Sequence, residues 1–132
     1  GIFLGCEYLS TSQGKKVFSQ FWPGADVATN AVVTAYIIPI NTAVPPKFVI
    51  QTDSTGIALT NVGQNADVAM GTGSTLTGMS GMYLDVSTVN TTATLPFRIL
   101  GLYSDVGVGN GSEAGAYNRA IVQANIYQET GI

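Results

Sequence analysis

Eight carboxylates and no histidine set the chemical repertoire of this 132-residue chain. Without imidazole it lacks the usual general base of serine and cysteine hydrolases and the commonest metal ligand, which disfavours triads and zinc sites. Two acids alone suffice for glycoside hydrolysis when a fold holds them roughly 5–9 Å apart. Glu7, Asp26, Asp53, Asp67, Asp85, Asp105, Glu113 and Glu129 are the candidates for such a pair. Most of them stand beside turns, and Asp53 and Asp105 have neighbours of the types that caps and turns use, which assigns them structural or solvated roles. The lone Cys6 allows no internal disulfide. It lies in an apolar, strand-like stretch and reads as a small buried hydrophobe rather than a reactive thiol.

Two glycine-rich stretches invite comparison with phosphate-binding loops. Gly71-Thr72-Gly73-Ser74-Thr75-Leu76-Thr77-Gly78 has no Lys-Ser/Thr tail and no helix signal behind it to supply aligned N–H groups. Gly107-Val108-Gly109-Asn110-Gly111 has neither the spacing nor the helix of a dinucleotide fingerprint. The first reads as a mobile or partner-ordered loop and the second as a strand connection, so no cofactor is expected. Asn90-Thr91-Thr92 and Asn110-Gly111-Ser112 fit the glycosylation triplet, but such triplets arise by chance in a chain rich in Thr and Asn, and nothing in the sequence indicates secretion.

The elements that would position these residues are strands. Ile2 to Leu9 and Lys15 to Trp22 flank the polar Ser10-Thr11-Ser12-Gln13-Gly14 and read as a β-hairpin. Pro23-Gly24 breaks the pattern. Val32 to Ile38 is a continuous β-branched and aromatic run of the kind buried on both faces or at an interface, and Pro39 ends it. Lys47 to Thr52 places Phe48 and Ile50 on one side, with the turn Asp53-Ser54-Thr55-Gly56 after it. Short segments follow at Ile57 to Thr60 and Ala66 to Met70, then a long loop from Gly71 to Gly81. Met82 to Val86, Leu95 to Tyr103 and Arg119 to Tyr127 complete the strands. In the last, Ala120, Val122, Ala124 and Ile126 face one way and Arg119, Gln123 and Asn125 the other.

With turn signals every 8–15 residues or so and no 3.6-residue period, the expected fold is all-β: a single antiparallel sandwich or barrel of about seven to nine strands with long Gly/Thr-rich loops. Length agrees, since roughly 100–150 residues is the usual size of one domain, and residues 1–132 are expected to form a single β domain. The chain begins on Gly1 rather than Met, and Ile2-Phe3-Leu4 starts a strand at once, so it reads as a fragment or a processed product.

Composition narrows the partners. Only 10% of residues are charged against 45% hydrophobic, with 16 glycines, leaving a surface of Thr, Ser, Asn, Gln and small apolar groups that resists association poorly unless partners cover it. Net charge is −3, and the five basic residues, Lys15, Lys16, Lys47, Arg98 and Arg119, form no stripe that could neutralise phosphates. Nucleic acid is therefore not an expected partner. The longest apolar run, Ala31 to Ile40, is roughly half of what a spanning helix needs and is interrupted by Thr34 and Pro39, so no membrane segment is expected.

Aromatic residues remain as the contact-making groups. Phe18, Phe21, Trp22, Tyr36 and Tyr83 have the chemistry to stack on sugar rings or to anchor a protein interface. Thr75, Leu76 and Met79 of the glycine-rich loop join them as candidate interface residues. Trp22 stands out because it ends a strand just before Pro23-Gly24. Phe3, Phe48 and Phe97 read as core.

The opening Gly-Ile-Phe-Leu-Gly-Cys-Glu-Tyr, the run from Lys15 to Pro23 and Val49-Ile50-Gln51 resemble a head structural protein of tailed bacteriophages. Thr72 to Gly81, Leu84-Asp85, Leu95 to Leu102 and Arg119 to Tyr127 continue the same order, so the similarity spans most of the chain. It is a similarity of pattern and carries no catalytic residues. The resemblance implies a capsid decoration or cement protein: a virion component on the capsid outer surface, bound to the major capsid protein, a homo-oligomer (dimer or trimer) and not an enzyme. A carbohydrate-binding β-sandwich for host or glycan adhesion, built on Trp22 and the tyrosines, is the alternative.

Overall fold

The computed structural model describes residues 1–40, 42–103 and 115–125. The expectations for Asp105, Glu113, Glu129, Gly107 to Gly111, the Asn110 triplet, Ile126 and Tyr127 lie outside them. The chain forms two compact units, Gly1–Pro39 with Thr72–Gly81, and Ile40–Gly71 with Met82–Ile132.

The first unit carries strands β1 (Ile2–Leu9), β2 (Lys16–Ser19) and β3 (Thr34–Ile38) in an antiparallel sheet of order β2-β1-β3. The expected hairpin forms, with β2 shorter than the aromatic run that suggested it. Its turn is closed by Ser10 N–H donating to Lys15 O at 2.9 Å and Gly14 N–H to Ser10 O at 3.0 Å. One face of β1 is buried at Cys6 and Tyr8, as alternation requires. An Asp26 carboxylate laces the segment after β2 onto this hairpin: it accepts from Ser10 Oγ at 2.7 Å, Ser12 N–H at 2.9 Å and Tyr8 OH at 3.4 Å. Those donors, Ser10 first and Ser12 next, hold the Asp26 carboxyl below its ordinary pKa.

The second unit carries β4 (Lys47–Gln51), β5 (Asn65–Met70), β6 (Met82–Asn90), β7 (Phe97–Leu102) and β8 (Arg119–Ala124), in order β4-β8-β7-β5-β6 and antiparallel throughout. Ile57 to Thr60, read as a short strand-like segment, instead leads into a 3-10 turn at Leu59–Asn61. Ala120, Val122 and Ala124 are the buried face of β8, as the alternation predicts. They join Ile57, Ala66, Leu84 and Ile99 in the interior, with Phe48 and Phe97 packed edge to face at 5.5 Å beside them. Each fully buried Leu, Ile or Val is worth about 1.5–3 kcal/mol over its exposed state, so Ile57, Leu84, Ile99 and Val122 dominate this core.

Two devices shape the second sheet. The pairing of β5 with β6 jumps from Asn65↔Asn90 to Asp67↔Asp85, a bulge that Asp53 holds by accepting Val86 N–H at 3.0 Å on Oδ2. The same carboxylate accepts Thr55 N–H at 2.8 Å and Gly56 N–H at 3.3 Å on Oδ1, the predicted Asp53–Gly56 turn. Just after β4, Thr52 makes an isolated parallel bridge with Leu84; the sheet curls far enough for its edges to touch there without closing. The fold is all-β with eight described strands in two antiparallel sheets. It has the two-sheet composition expected of a sandwich, and the barrel alternative does not hold.

Candidate functional site

Within the first unit the segment after β2 and the Thr72–Gly81 segment line an open groove of about 460 Å³, walled by Phe3, Phe21, Trp22 and Met79, with Gln20, Ser74, Thr75 and Ser80 as its polar rim. Local chemistry explains both walls. Ser19 Oγ donates to Phe21 O at 2.7 Å and accepts Phe21 N–H at 3.1 Å. Cys6 Sγ–H adds a contact to the same carbonyl at 3.4 Å. Pro23 then favours extended backbone at Trp22, and Asp26 N–H donating to Pro23 O at 3.1 Å closes the following turn. Trp22 is thereby pinned at both ends of its backbone while its indole stays 58% exposed.

The opposite wall is a tight turn. Ser74 N–H donates to Met79 O at 2.9 Å and Gly78 N–H to Ser74 O at 2.9 Å. Gly78 sits at φ +72°, and a Cβ there would stand 2.8 Å from Gln20 Oε1; only glycine satisfies both the backbone and the close approach. Leu76 at the tip is 95% exposed and Met79 68%. The stretch is a loop between β5 and β6, as expected, and it carries its own hydrogen-bonded turn.

Of the eight candidate interface residues, Phe21, Trp22, Thr75 and Met79 meet in this groove, and Leu76 tops its turn. Phe18 and Tyr36 form a second cluster, on β2 and β3, with ring centroids 5.8 Å apart and planes tilted by 34°. The salt bridge from Lys16 Nζ to Glu7 Oε1 at 2.6 Å lies on the same face of that sheet. Tyr83 belongs to the second unit, on β6, and joins neither cluster. Phe3, read as core, is 40% exposed and lines the groove. The bulge between Phe3 and Gly5 sets Phe3 opposite Ile37 and on the face of Cys6, but the open groove rather than packed side chains lies against its ring.

No lining residue of the groove is ionisable, so its chemistry is that of contact: a rigid indole, a flexible thioether, two phenyl rings and amide or hydroxyl groups at the edge. Cys6 is fully buried, and burial pushes its thiol pKa up. Of the acids, Asp67 and Asp85 are brought face to face as cross-strand partners on the second sheet. Asp67 Oδ1 accepts Val68 N–H at 2.8 Å, and Asp85 Oδ1 accepts Ser87 N–H at 3.0 Å and Ser87 Oγ–H at 2.6 Å. No group of three or more His, Cys, Asp or Glu side chains able to hold a metal occurs among the described residues. None of their helices is long and apolar enough to cross a membrane. No protein-family model, curated protein or solved structure matches the chain.

Proposed function

We propose that the chain is a structural virion protein that binds the outer surface of a tailed-phage capsid, against its major capsid protein, and stabilises the shell. The observation that carries this reading is the gathering of Phe3, Phe21, Trp22 and Met79, all exposed, into one groove without an ionisable group. The order of motifs in the sequence supplies the virion context. A soluble domain gains nothing from leaving an indole and a thioether in water, whereas a partner surface covering them gains roughly 25 cal/mol per Å² of apolar area. Copies arrayed on a symmetric shell add avidity, so each contact can be small and nearly uncharged. Adding the purified chain to particles that lack it and measuring their rupture temperature tests the proposal. Binding and a higher rupture temperature are expected, both weakened by Trp22→Ala, and absence of binding overturns it.

A second reading is favoured by one feature of the same groove. The exposed Trp22 indole stands beside Gln20, Ser74, Thr75 and Ser80, the combination of stacking plane and hydrogen-bonding rim that sugars require. Glycan-array binding abolished by Trp22→Ala supports glycan adhesion; an array without signal removes it.

A further inference from the structure

The four sheet edges among the described residues are not treated alike. On the first sheet, β2 is short and opens on Lys16, which is tied to Glu7. On the second, β4 opens on Lys47 and is followed by the Thr52–Leu84 bridge, and β6 carries the register jump at Asp85. Charge, shortness, curl and bulges are the devices by which a strand with free N–H and C=O groups avoids pairing with other chains. The remaining edge, β3, is five residues long and carries no charge and no bulge of its own. Thr34-Ala35-Tyr36-Ile37-Ile38 holds no charge and no proline, all five residues are exposed, and β1 is its sole strand neighbour among the described residues. The bulge in this sheet lies on the β1 side of the pair.

We infer that the free edge of β3 pairs antiparallel with β3 of a second copy of this chain, centred on Tyr36. An extended edge is completed by a strand, and the side chains say which one. In an antiparallel self-pair centred on residue 36, Ala35 faces Ile37 and Thr34 faces Ile38, so small side chains stand opposite large ones on both faces. The face that carries Phe18 and Tyr36, already 5.8 Å apart, continues as an aromatic row from Phe18 through both copies of Tyr36 to the second Phe18. Charge points the same way. An isologous contact sets like surface against like, which an acidic protein tolerates only where the patch is neutral, and β3 is neutral. A partner recognised by charge would find no complementary group on this edge. Pairing yields a six-stranded sheet with both remaining edges formed by the Lys-bearing β2.

This inference concerns a second copy and stands independently of the capsid reading. It is tested on the full chain by sedimentation velocity at micromolar concentrations. A dimer is expected for the parent, and a monomer with unchanged circular dichroism for Ile37→Lys, which puts a charge on an exposed position of the edge. Tyr36→Cys supplies the register. At the centre of the pair this residue faces itself within disulfide reach, so oxidation is expected to link two copies, while Leu76→Cys at the groove's turn is expected to link none. A monomeric parent, a trimer, a dimer that survives Ile37→Lys, or a Tyr36→Cys chain that does not cross-link overturns the inference.

Discussion

The ring of Phe18 lies against Gly5, with ring carbons 3.0 and 3.1 Å from where a glycine Cβ would stand, and so reaches across β1 to Tyr36. Gly5 also holds φ at +154°, which side-chain-bearing residues rarely adopt. Gly5→Ala is therefore expected to destabilise the chain by about 1–3 kcal/mol through strain and displaced aromatic contact. Phe18→Ala, removing a ring that is 66% exposed, is expected to cost under about 1 kcal/mol. Thermal unfolding of the two variants checks the order; Phe18→Ala proving the costlier would refute the account.

This neighbourhood also marks the limit of what could be read from the chain. Strand alternation located the buried face of β8 because its ladder against β4 runs from Arg119 to Gln123 without a register shift, which keeps Ala120 and Val122, and Ala124 beyond them, on one face. Phe3, read as core, shares the face of the buried Cys6 through the bulge before Gly5, and it stays half-exposed because that end of the face opens on the groove, which nothing local to Ile2-Phe3-Leu4 announces. The apolar run ending at Ile38 fits a core strand and an interface strand equally well; the exposure of Thr34–Ile38 depends on what the rest of the fold leaves uncovered. Phe21 and Trp22 were legible as contact residues, but their meeting with Met79 rests on Gly78 packing against Gln20, two residues far apart in the chain. Composition carries no trace of such a contact.

A second prediction concerns Asn118, whose carboxamide imitates a strand neighbour. Its Nδ2 donates to Ile57 O at 2.8 Å while its Oδ1 accepts Ile57 N–H at 3.1 Å and Thr52 Oγ1–H at 2.8 Å. Ile57 and Thr52 are both fully buried, so truncation strands polar groups that water cannot reach. Asn118→Ala is expected to cost about 2–4 kcal/mol in urea unfolding, at roughly 1–3 kcal/mol for each unsatisfied group. Asn118→Asp keeps the acceptor and loses the donor, and should fall between.

Asp67 and Asp85 make the opposite case, a native pair that works against the fold. Like charges directly across an antiparallel ladder repel. Asn at position 67 retains the oxygen that accepts Val68 N–H. Asp67→Asn is expected to stabilise by about 0.2–1 kcal/mol, and Asp85→Asn added to it should bring no further gain, because one substitution already removes the repulsion. Additive gains in the double variant would show that the two carboxylates do not interact.

Four groups held by burial or by hydrogen bonds contribute to the dependence of stability on pH. At Asp53, burial acts to raise the carboxyl pKa, but the N–H groups of Thr55, Val86 and Gly56 outweigh it and leave it below the ordinary value; Ser10 and Ser12 do the same for Asp26. In the unfolded chain these carboxyls take up protons first, near pH 4. Their contribution is thus fully present above that value and lost as pH falls through it toward the lower folded values. On the alkaline side, burial raises the Cys6 thiol, and burial followed by the charge of Asp26 raises the Tyr8 phenol. The unfolded chain ionises these groups first, from about pH 8.5 for Cys and about pH 10 for Tyr, and stability falls as pH rises through that range. Urea midpoints should therefore form a plateau between roughly pH 5 and pH 8 with losses on both sides. In the Asp26→Asn, Asp53→Asn double variant the plateau should be lower and the acid limb flatter, with the alkaline limb reduced only where Tyr8 no longer faces the Asp26 charge. An acid limb as steep as that of the parent would mean that other carboxylates carry it.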